Sequence, residues 1–92
     1  MTTGVVRRRV VVTGRVQGVW FRESCRREAA AAGVTGWIRN AEDGSVEAVL
    51  EGAQDDVERV LAWMRVGPPR ATVANVEVHP EPPVGDTSFA VR

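Results

Sequence analysis

This chain joins a β-branched run to an alanine-rich segment through a short junction that contains two glycines. The junction, GRVQGVWFR at residues 14–22, follows three consecutive valines that end at Val12. Gly14 and Gly18 let the backbone turn tightly, and because neither carries a Cβ, successive N–H groups are free to face one concavity. The junction therefore predicts a strand that turns abruptly into a helix.

The junction also has the composition of an anion site. A helix that begins near Trp20 or Phe21 adds its unpaired first-turn N–H groups and the positive end of its dipole to the same concavity. Arg22 falls in that first turn, where a cation is mildly disfavoured unless an oxyanion lies beside it. A plain turn with a solvated arginine explains the pattern equally well. No lysine follows Gly18 and the three-glycine dinucleotide pattern is missing, so neither nucleotide motif applies.

Hydrophobic periodicity predicts the order strand, helix, strand, strand, helix, strand. The predicted elements are strand 5–13, helix 21–32 stopped by Gly33, strands 34–41 and 45–51 joined by a turn at Asp43-Gly44, a helix with the stripe Val57, Val60, Leu61 and Met64, strand 72–79 and a short last strand 89–92. In strand 72–79 we expect Ala74, Val76 and Val78 to face the core. The order indicates an α+β, ferredoxin-like α/β sandwich (βαββαβ). It has a four-stranded antiparallel sheet, two helices on one face and a short C-terminal strand, in a single domain over residues 1–92.

Composition and charge argue against several classes of partner. Twelve basic and twelve acidic side chains cancel, which disfavours nucleic acid, although Arg7 to Arg9 are a local exception. The apolar run after these arginines is three residues long, too short for a signal-peptide core, and no segment reaches membrane-spanning length. One cysteine excludes an internal disulfide, and no Cys/His cluster has metal-ligand spacing. We expect a cytoplasmic monomer without metal, cofactor, nucleic-acid or membrane partner.

A second segment, GWIRNAEDGSV at residues 36–46, carries a further motif and is closed by Gly52. Together with residues 14–22, it resembles the two signature stretches of the acylphosphatase family. The resemblance extends to Trp63, to the Gly-Pro-Pro sequence at 67–69 and to the tail 89–92, and thus covers nearly the whole chain. Ile38 stands where the family more often has a smaller apolar residue. The resemblance implies hydrolysis of small acyl phosphates to a carboxylate and orthophosphate.

The same resemblance implies roles for individual residues. Arg22 and the loop amides before it hold the phosphoryl group, and the side-chain amide of Asn40 positions the attacking water. The implied phosphate-binding residues are Arg15, Val16, Gln17, Gly18, Val19 and Arg22, with Gly14 and Gly18 shaping the loop. Without the resemblance, an asparagine that precedes a hairpin would be interpreted as a turn residue. No metal or cofactor is implied, and inorganic phosphate is the expected product or inhibitor.

The other aromatic and sulfur side chains have plainer interpretations. Gln17 is expected to brace the loop, and Trp20 either forms a wall for the acyl group or caps the core. Trp37 and Trp63 are interpreted as packing residues. Cys25 shares the apolar helix face, so it too is expected to pack in the core.

Two non-catalytic alternatives use the same fold. The first is an RNA-binding module, which would need stacking aromatics on its middle strands, whereas residues 45–51 have none and carry Glu47 and Glu51. The second is a small-molecule-binding or accessory domain whose loop holds an anion without turnover. The presence of both Arg22 and Asn40 argues against it.

Overall fold

The structure of the protein is a computed structural model that describes residues 4–92. The elements are β1 (Val5–Arg15), α1 (Phe21–Ala32), β2 (Thr35–Asn40), β3 (Val46–Ala53), α2 (Gln54–Met64), β4 (Thr72–Glu81) and β5 (Phe89–Val91). The predicted order of strands and helices is confirmed. Helix α1 has the predicted bounds and is followed by Gly33, whose φ of 71° makes it a left-handed C-cap.

The sheet has the strand order β4-β1-β3-β2-β5. The pairs β1–β4, β1–β3 and β2–β3 are antiparallel, as predicted. The short C-terminal strand differs from expectation because it joins the sheet as a fifth strand, parallel to β2, with Gly36 opposite Phe89 and Ile38 opposite Val91. The parallel pairing carries Arg92 to the loop end of β2, where its N–H donates to the Ile38 carbonyl over 2.8 Å.

The core lies between the two helices and one face of the sheet. Its sheet residues are Val10, Val12, Ile38, Val46, Ala48 and Leu50, and its helix residues are Phe21, Cys25, Ala29, Val57, Val60, Leu61 and Met64. Successive strand residues point to opposite faces, so the alternation in β1 directs Val10 and Val12 toward the helices, whereas β3 is buried on both faces at Val49 and Leu50. Phe21 packs on Trp63 with ring centroids 5.3 Å apart, which confirms that Trp63 is a packing residue.

A β-bulge lies where β1 leads into the junction. Thr13 pairs with Asn75 and Gly14 with Val73, so Ala74 is an extra residue in β4. Ala74 is exposed, and the prediction that it faces the core is wrong because the bulge resets the alternation. A Cβ at Gly14 would lie 2.2 Å from the Thr72 carbonyl oxygen, so only glycine permits this approach of the two strands.

A cluster of charged side chains fixes the loop between β4 and β5. Arg7 is nearly buried, and its guanidinium contacts Glu51 at 2.9 Å, Asp86 at 2.8 Å and Glu81 at 3.2 Å. The Glu51 carboxylate also accepts hydrogen bonds from the main-chain N–H groups of Val84 and Gly85 at 3.0 and 2.8 Å. The sheet therefore holds the loop from which β5 emerges.

These contacts predict a pH-dependent contribution of Glu51 to stability. The Val84 N–H, followed by the Arg7 guanidinium and the Gly85 N–H, lowers the pKa of Glu51 below its ordinary value of 4.5. A carboxyl whose pKa is lowered by folding stabilises the protein above the unfolded-state pKa and loses that contribution as pH falls. Glu51→Gln should reduce the free energy of unfolding at pH 7 by about 2–3 kcal/mol, measured by urea denaturation.

The difference in the free energy of unfolding between wild type and Glu51→Gln should shrink as pH falls through and below about 4.5. Wild-type Glu51 then also becomes neutral. Glu58→Gln, on the exposed face of α2, is the matched control for loss of one negative charge. This account would be contradicted if both substitutions changed the free energy of unfolding equally. It would also be contradicted if the change caused by Glu51→Gln did not depend on pH.

Candidate active site

A pocket of about 350 Å³ opens where the β1–α1 junction, the end of β2 and β5 meet. It is lined by Val16, Gly18, Trp20, Phe21, Arg22, Glu23, Asn40 and Val91. The fold thus brings together five residues that the sequence analysis named, Val16, Gly18, Trp20, Arg22 and Asn40. They come from both signature segments, which helix α1 separates in the chain.

The other predicted residues lie around the pocket and not in its lining. Arg15 is the last residue of β1 and pairs with Thr72 of β4. Val19 is buried in the core, and Gly14 lies on β1 at the β-bulge, paired with Val73. None of the three is part of the pocket lining, so the role implied for them falls to their main-chain N–H groups.

Three residues of the junction have a positive φ: Gly14 at 122°, Gly18 at 73° and Trp20 at 67°. For a residue other than glycine this conformation costs about 1 kcal/mol or more. No hydrogen bond among residues 4–92 uses a main-chain N–H of residues 16–20 as its donor. The Trp20 carbonyl accepts from the Ser24 N–H over 3.1 Å and so begins α1. The loop amides and the first-turn amides of α1 are consequently available to an anion.

Gln17 connects the two signature segments. Its Nε2 donates to the Ala41 carbonyl over 2.8 Å and to the Ser45 carbonyl over 2.9 Å. Both acceptors belong to the hairpin between β2 and β3. Gln17 therefore braces the loop, as predicted, and fixes it against the hairpin that directly follows Asn40.

Asn40 is the last residue of β2 and has an unusual environment. Its Oδ1 is buried and has no hydrogen-bond partner within residues 4–92. A buried acceptor left unpaired costs about 1–3 kcal/mol, so such atoms in native proteins commonly bind water or take part in function. The side chain of Asn40 does not form the adjacent turn.

The turn after Asn40 is made by other residues. Asp43 Oδ1 accepts from the Ser45 N–H at 2.9 Å and from the Ser45 hydroxyl at 2.6 Å, and Gly44 has a φ of 93°. The Ser45 hydroxyl and N–H lower the pKa of Asp43, which keeps the carboxylate charged. The hairpin is thus complete without the Asn40 side chain, which favours a role for Asn40 in the pocket.

Arg22 is oriented by a contact that sequence reasoning missed. One terminal nitrogen of its guanidinium donates to the main-chain oxygen of Arg92 over 2.9 Å. Arg92 in turn places its guanidinium 4.4 Å from the ring centroid of Trp37, a cation–π geometry. Trp37, interpreted from sequence as a packing residue, therefore packs against the side chain of Arg92. The separation of 70 residues between Arg22 and Arg92 left no local signal for this contact.

Glu23 is the acidic residue in the pocket lining. Its carboxylate accepts from the Nε of Arg26 at 3.0 Å and of Arg27 at 3.4 Å, and Arg26 in particular lowers the pKa of Glu23 to about 2. Glu23 and Arg27 have the four-residue spacing at which helical side chains pair, and Arg26 adds a closer contact. Among residues 4–92 no acidic side chain pairs with Arg22. The Arg22 guanidinium thus keeps donors for a ligand.

Cys25 is outside the pocket and fully buried. Burial raises the pKa of its thiol to about 12, so it is not a ready nucleophile at neutral pH. This confirms the prediction that Cys25 is a core residue. Across residues 4–92, His, Cys, Asp and Glu side chains form no group of three or more that could hold a metal ion. No helix in the same range is long and apolar enough to cross a membrane.

Comparison with known proteins gives consistent matches. The acylphosphatase family model matches residues 8–91. The acylphosphatase of Trichormus variabilis is 51% identical over 88 residues, which cover 96% of this chain and 87% of that protein. The structure of an acylphosphatase from Coxiella burnetii matches with a TM-score of 0.92 at 39% identity. The match covers 96% of this chain and 93% of the Coxiella chain. The acylphosphatase structure from Bacillus subtilis has a TM-score of 0.91 at 31% identity, with 95% and 98% covered. With both signature segments meeting at one pocket, this chain belongs to the acylphosphatase family.

Proposed function

We propose that this protein hydrolyses the carboxyl–phosphate bond of small acyl phosphates. The observation that carries the proposal is the buried, unpartnered Oδ1 of Asn40 in a pocket that Arg22 also lines. A cationic fork and a set of free N–H groups suit a phosphoryl group, whereas a lone buried acceptor suits a water molecule. The pocket thus offers a place for each of the two reactants.

In this proposal the phosphoryl oxygens are held by Arg22 and by the main-chain N–H groups of residues 15–19. The positive φ at Gly18 and Trp20 supports this role for the loop, as does the lack, within the described part of the chain, of acceptors for the main-chain N–H groups of residues 16–20. The Arg92 main-chain oxygen restrains the guanidinium before substrate arrives. Preorganised donors of this kind stabilise the charge that develops in a phosphoryl-transfer transition state.

Asn40 Oδ1 accepts a hydrogen bond from the attacking water and orients its oxygen toward phosphorus. The water oxygen forms the new P–O bond as the bond to the acyl oxygen breaks, and the carboxylate departs with the electron pair. The water proton passes to a phosphoryl oxygen of the substrate, since no side chain is assigned as general base. A carboxylate is a good leaving group, so positioning and charge stabilisation suffice.

The non-catalytic alternatives are less well supported. An RNA-binding sheet would present aromatic rings on its central strands, but β3 carries Glu47 and Glu51, and both are paired with arginines. An anion-binding domain without turnover would have no use for the unpaired Oδ1 of Asn40. We further propose that the chain acts as a monomer in the cytoplasm without nucleic-acid or membrane partners. Its single, buried cysteine thiol suits a reducing compartment.

Arg22 provides the first test. A lysine keeps the charge but not the rigid fork that bridges two oxygens. Arg22→Lys should remain folded and lose about a hundredfold or more in kcat/KM, equivalent to about 3 kcal/mol of transition-state stabilisation. Arg22→Ala should lose at least as much, and both variants should bind inorganic phosphate weakly. Steady-state hydrolysis of benzoyl phosphate and inhibition by phosphate are the measurements.

Arg59→Lys, on the exposed face of α2, is the matched control and should retain wild-type activity. Circular dichroism establishes that each variant is folded. Near-normal turnover in folded Arg22→Ala would show that the loop holds its anion without this side chain, and the assignment would be wrong.

Asn40 provides a test that separates water positioning from phosphate binding. Asn40→Ala should lower kcat strongly while inorganic phosphate still inhibits with a similar constant, because the phosphate ligands are intact. Asn75→Ala, at an exposed position in β4, is the matched control. If Asn40→Ala instead turned over normally, the interpretation of Asn40 as a turn residue would be restored.

The proposed chemistry also predicts independence from metal ions, because each phosphoryl contact is assigned to an N–H group or a guanidinium. Hydrolysis of acetyl phosphate should proceed at the same rate with and without EDTA. Loss of activity in EDTA with recovery on adding Mg²⁺ or Zn²⁺ would refute the mechanism.

A further inference from the structure

Trp20 combines two properties that stability alone does not explain. It is 74% exposed, and its backbone is left-handed with a φ of 67°. Exposure rules out the interpretation that it caps the core, a position taken by the neighbouring Phe21 against Trp63. Residues held in unfavourable backbone conformations cluster at functional sites, where a ligand contact compensates for the strain.

The pocket lining has a polar part and an apolar part, just as an acyl phosphate has a charged phosphoryl group and a less polar acyl group. Arg22, Glu23, Asn40 and the Gly18 main chain provide polar groups, and Val16, Trp20, Phe21 and Val91 provide apolar surface. Val16 and Phe21 are buried, whereas Trp20 and Val91 are 74% and 40% exposed. Apolar surface that lies open to solvent is therefore contributed by Trp20 and Val91, next to the groups proposed to hold phosphate.

We propose that Trp20 determines which acyl groups this enzyme prefers, by packing its indole ring against a flat apolar acyl group such as an aromatic ring. The inference rests on the proposed function, because it requires the phosphoryl group to lie against Arg22 and the loop amides. Trp20 belongs to the same loop, so a phosphoryl group held there places the acyl group beside the indole. Aromatic surfaces recognise flat apolar groups through stacking or edge contacts and through the removal of apolar area from water.

Trp20→Gly tests this role because glycine adopts a φ of 67° without strain. The variant should fold, with a melting temperature equal to or slightly above that of wild type. Its kcat/KM for benzoyl phosphate should fall about tenfold, while kcat/KM for acetyl phosphate should change less than about twofold. Inhibition by inorganic phosphate should be unchanged, since the loop amides and Arg22 are intact. Trp20→Phe, which keeps an aromatic ring, should retain most of the wild-type preference for benzoyl phosphate over acetyl phosphate.

Val66→Ala is the matched control, because Val66 is 72% exposed and lies outside the pocket lining. It should leave the ratio of the two kcat/KM values unchanged. An equal loss on both substrates, weaker phosphate inhibition or a clear drop in the melting temperature of Trp20→Gly would overturn the inference, because Trp20 would then only shape the loop. An inactive wild type would overturn the proposed function itself, and the role of Trp20 with it. An active wild type with an unchanged substrate ratio in Trp20→Gly would overturn only the role of Trp20.

Discussion

The site depends on polar groups that have no hydrogen-bond partner within residues 4–92. Loop N–H groups and a buried amide oxygen would normally be paired, because desolvating them without a hydrogen bond is unfavourable. Here the N–H groups of residues 16–20 and the Oδ1 of Asn40 are available, while neighbouring side chains form the bonds that hold the backbone in place. Gln17 braces the loop, and Asp43 completes the hairpin. The groups that are free to bind a ligand are therefore different from the groups that hold the loop and the hairpin in place.

Support of the site extends across the sheet to its far end. Arg7 and Glu51 hold the loop between β4 and β5, and β5 pairs in parallel with β2. That pairing places the main chain of Arg92 beside Arg22. The contacts made by residues far from the pocket therefore contribute to the orientation of the guanidinium that we assign to the phosphoryl group.

Local sequence patterns predicted most of the fold because helix and strand periodicities depend on neighbouring residues. The bounds of α1, the apolar stripe of α2 and the turn at Asp43 and Gly44 were all recoverable in this way. The bulge at Ala74 was missed because it depends on how Gly14 approaches the partner strand. The Arg7 cluster and the contact between Arg22 and Arg92 join residues 44 to 79 positions apart, for which periodicity carries no information. The role proposed for Asn40 came from resemblance, and its local pattern alone indicated a turn.

The partner of Arg22 is a main-chain oxygen, a group that every amino acid supplies. The identity of the side chain at position 92 is therefore free to vary during evolution without removing the acceptor itself. What has to be preserved is the path of the backbone, which is set by the pairing of β5 with β2 and by the half-buried Phe89 in the core. A substitution at position 92 would therefore remove the contact of Arg92 with the Trp37 ring but would keep the acceptor of the Arg22 hydrogen bond.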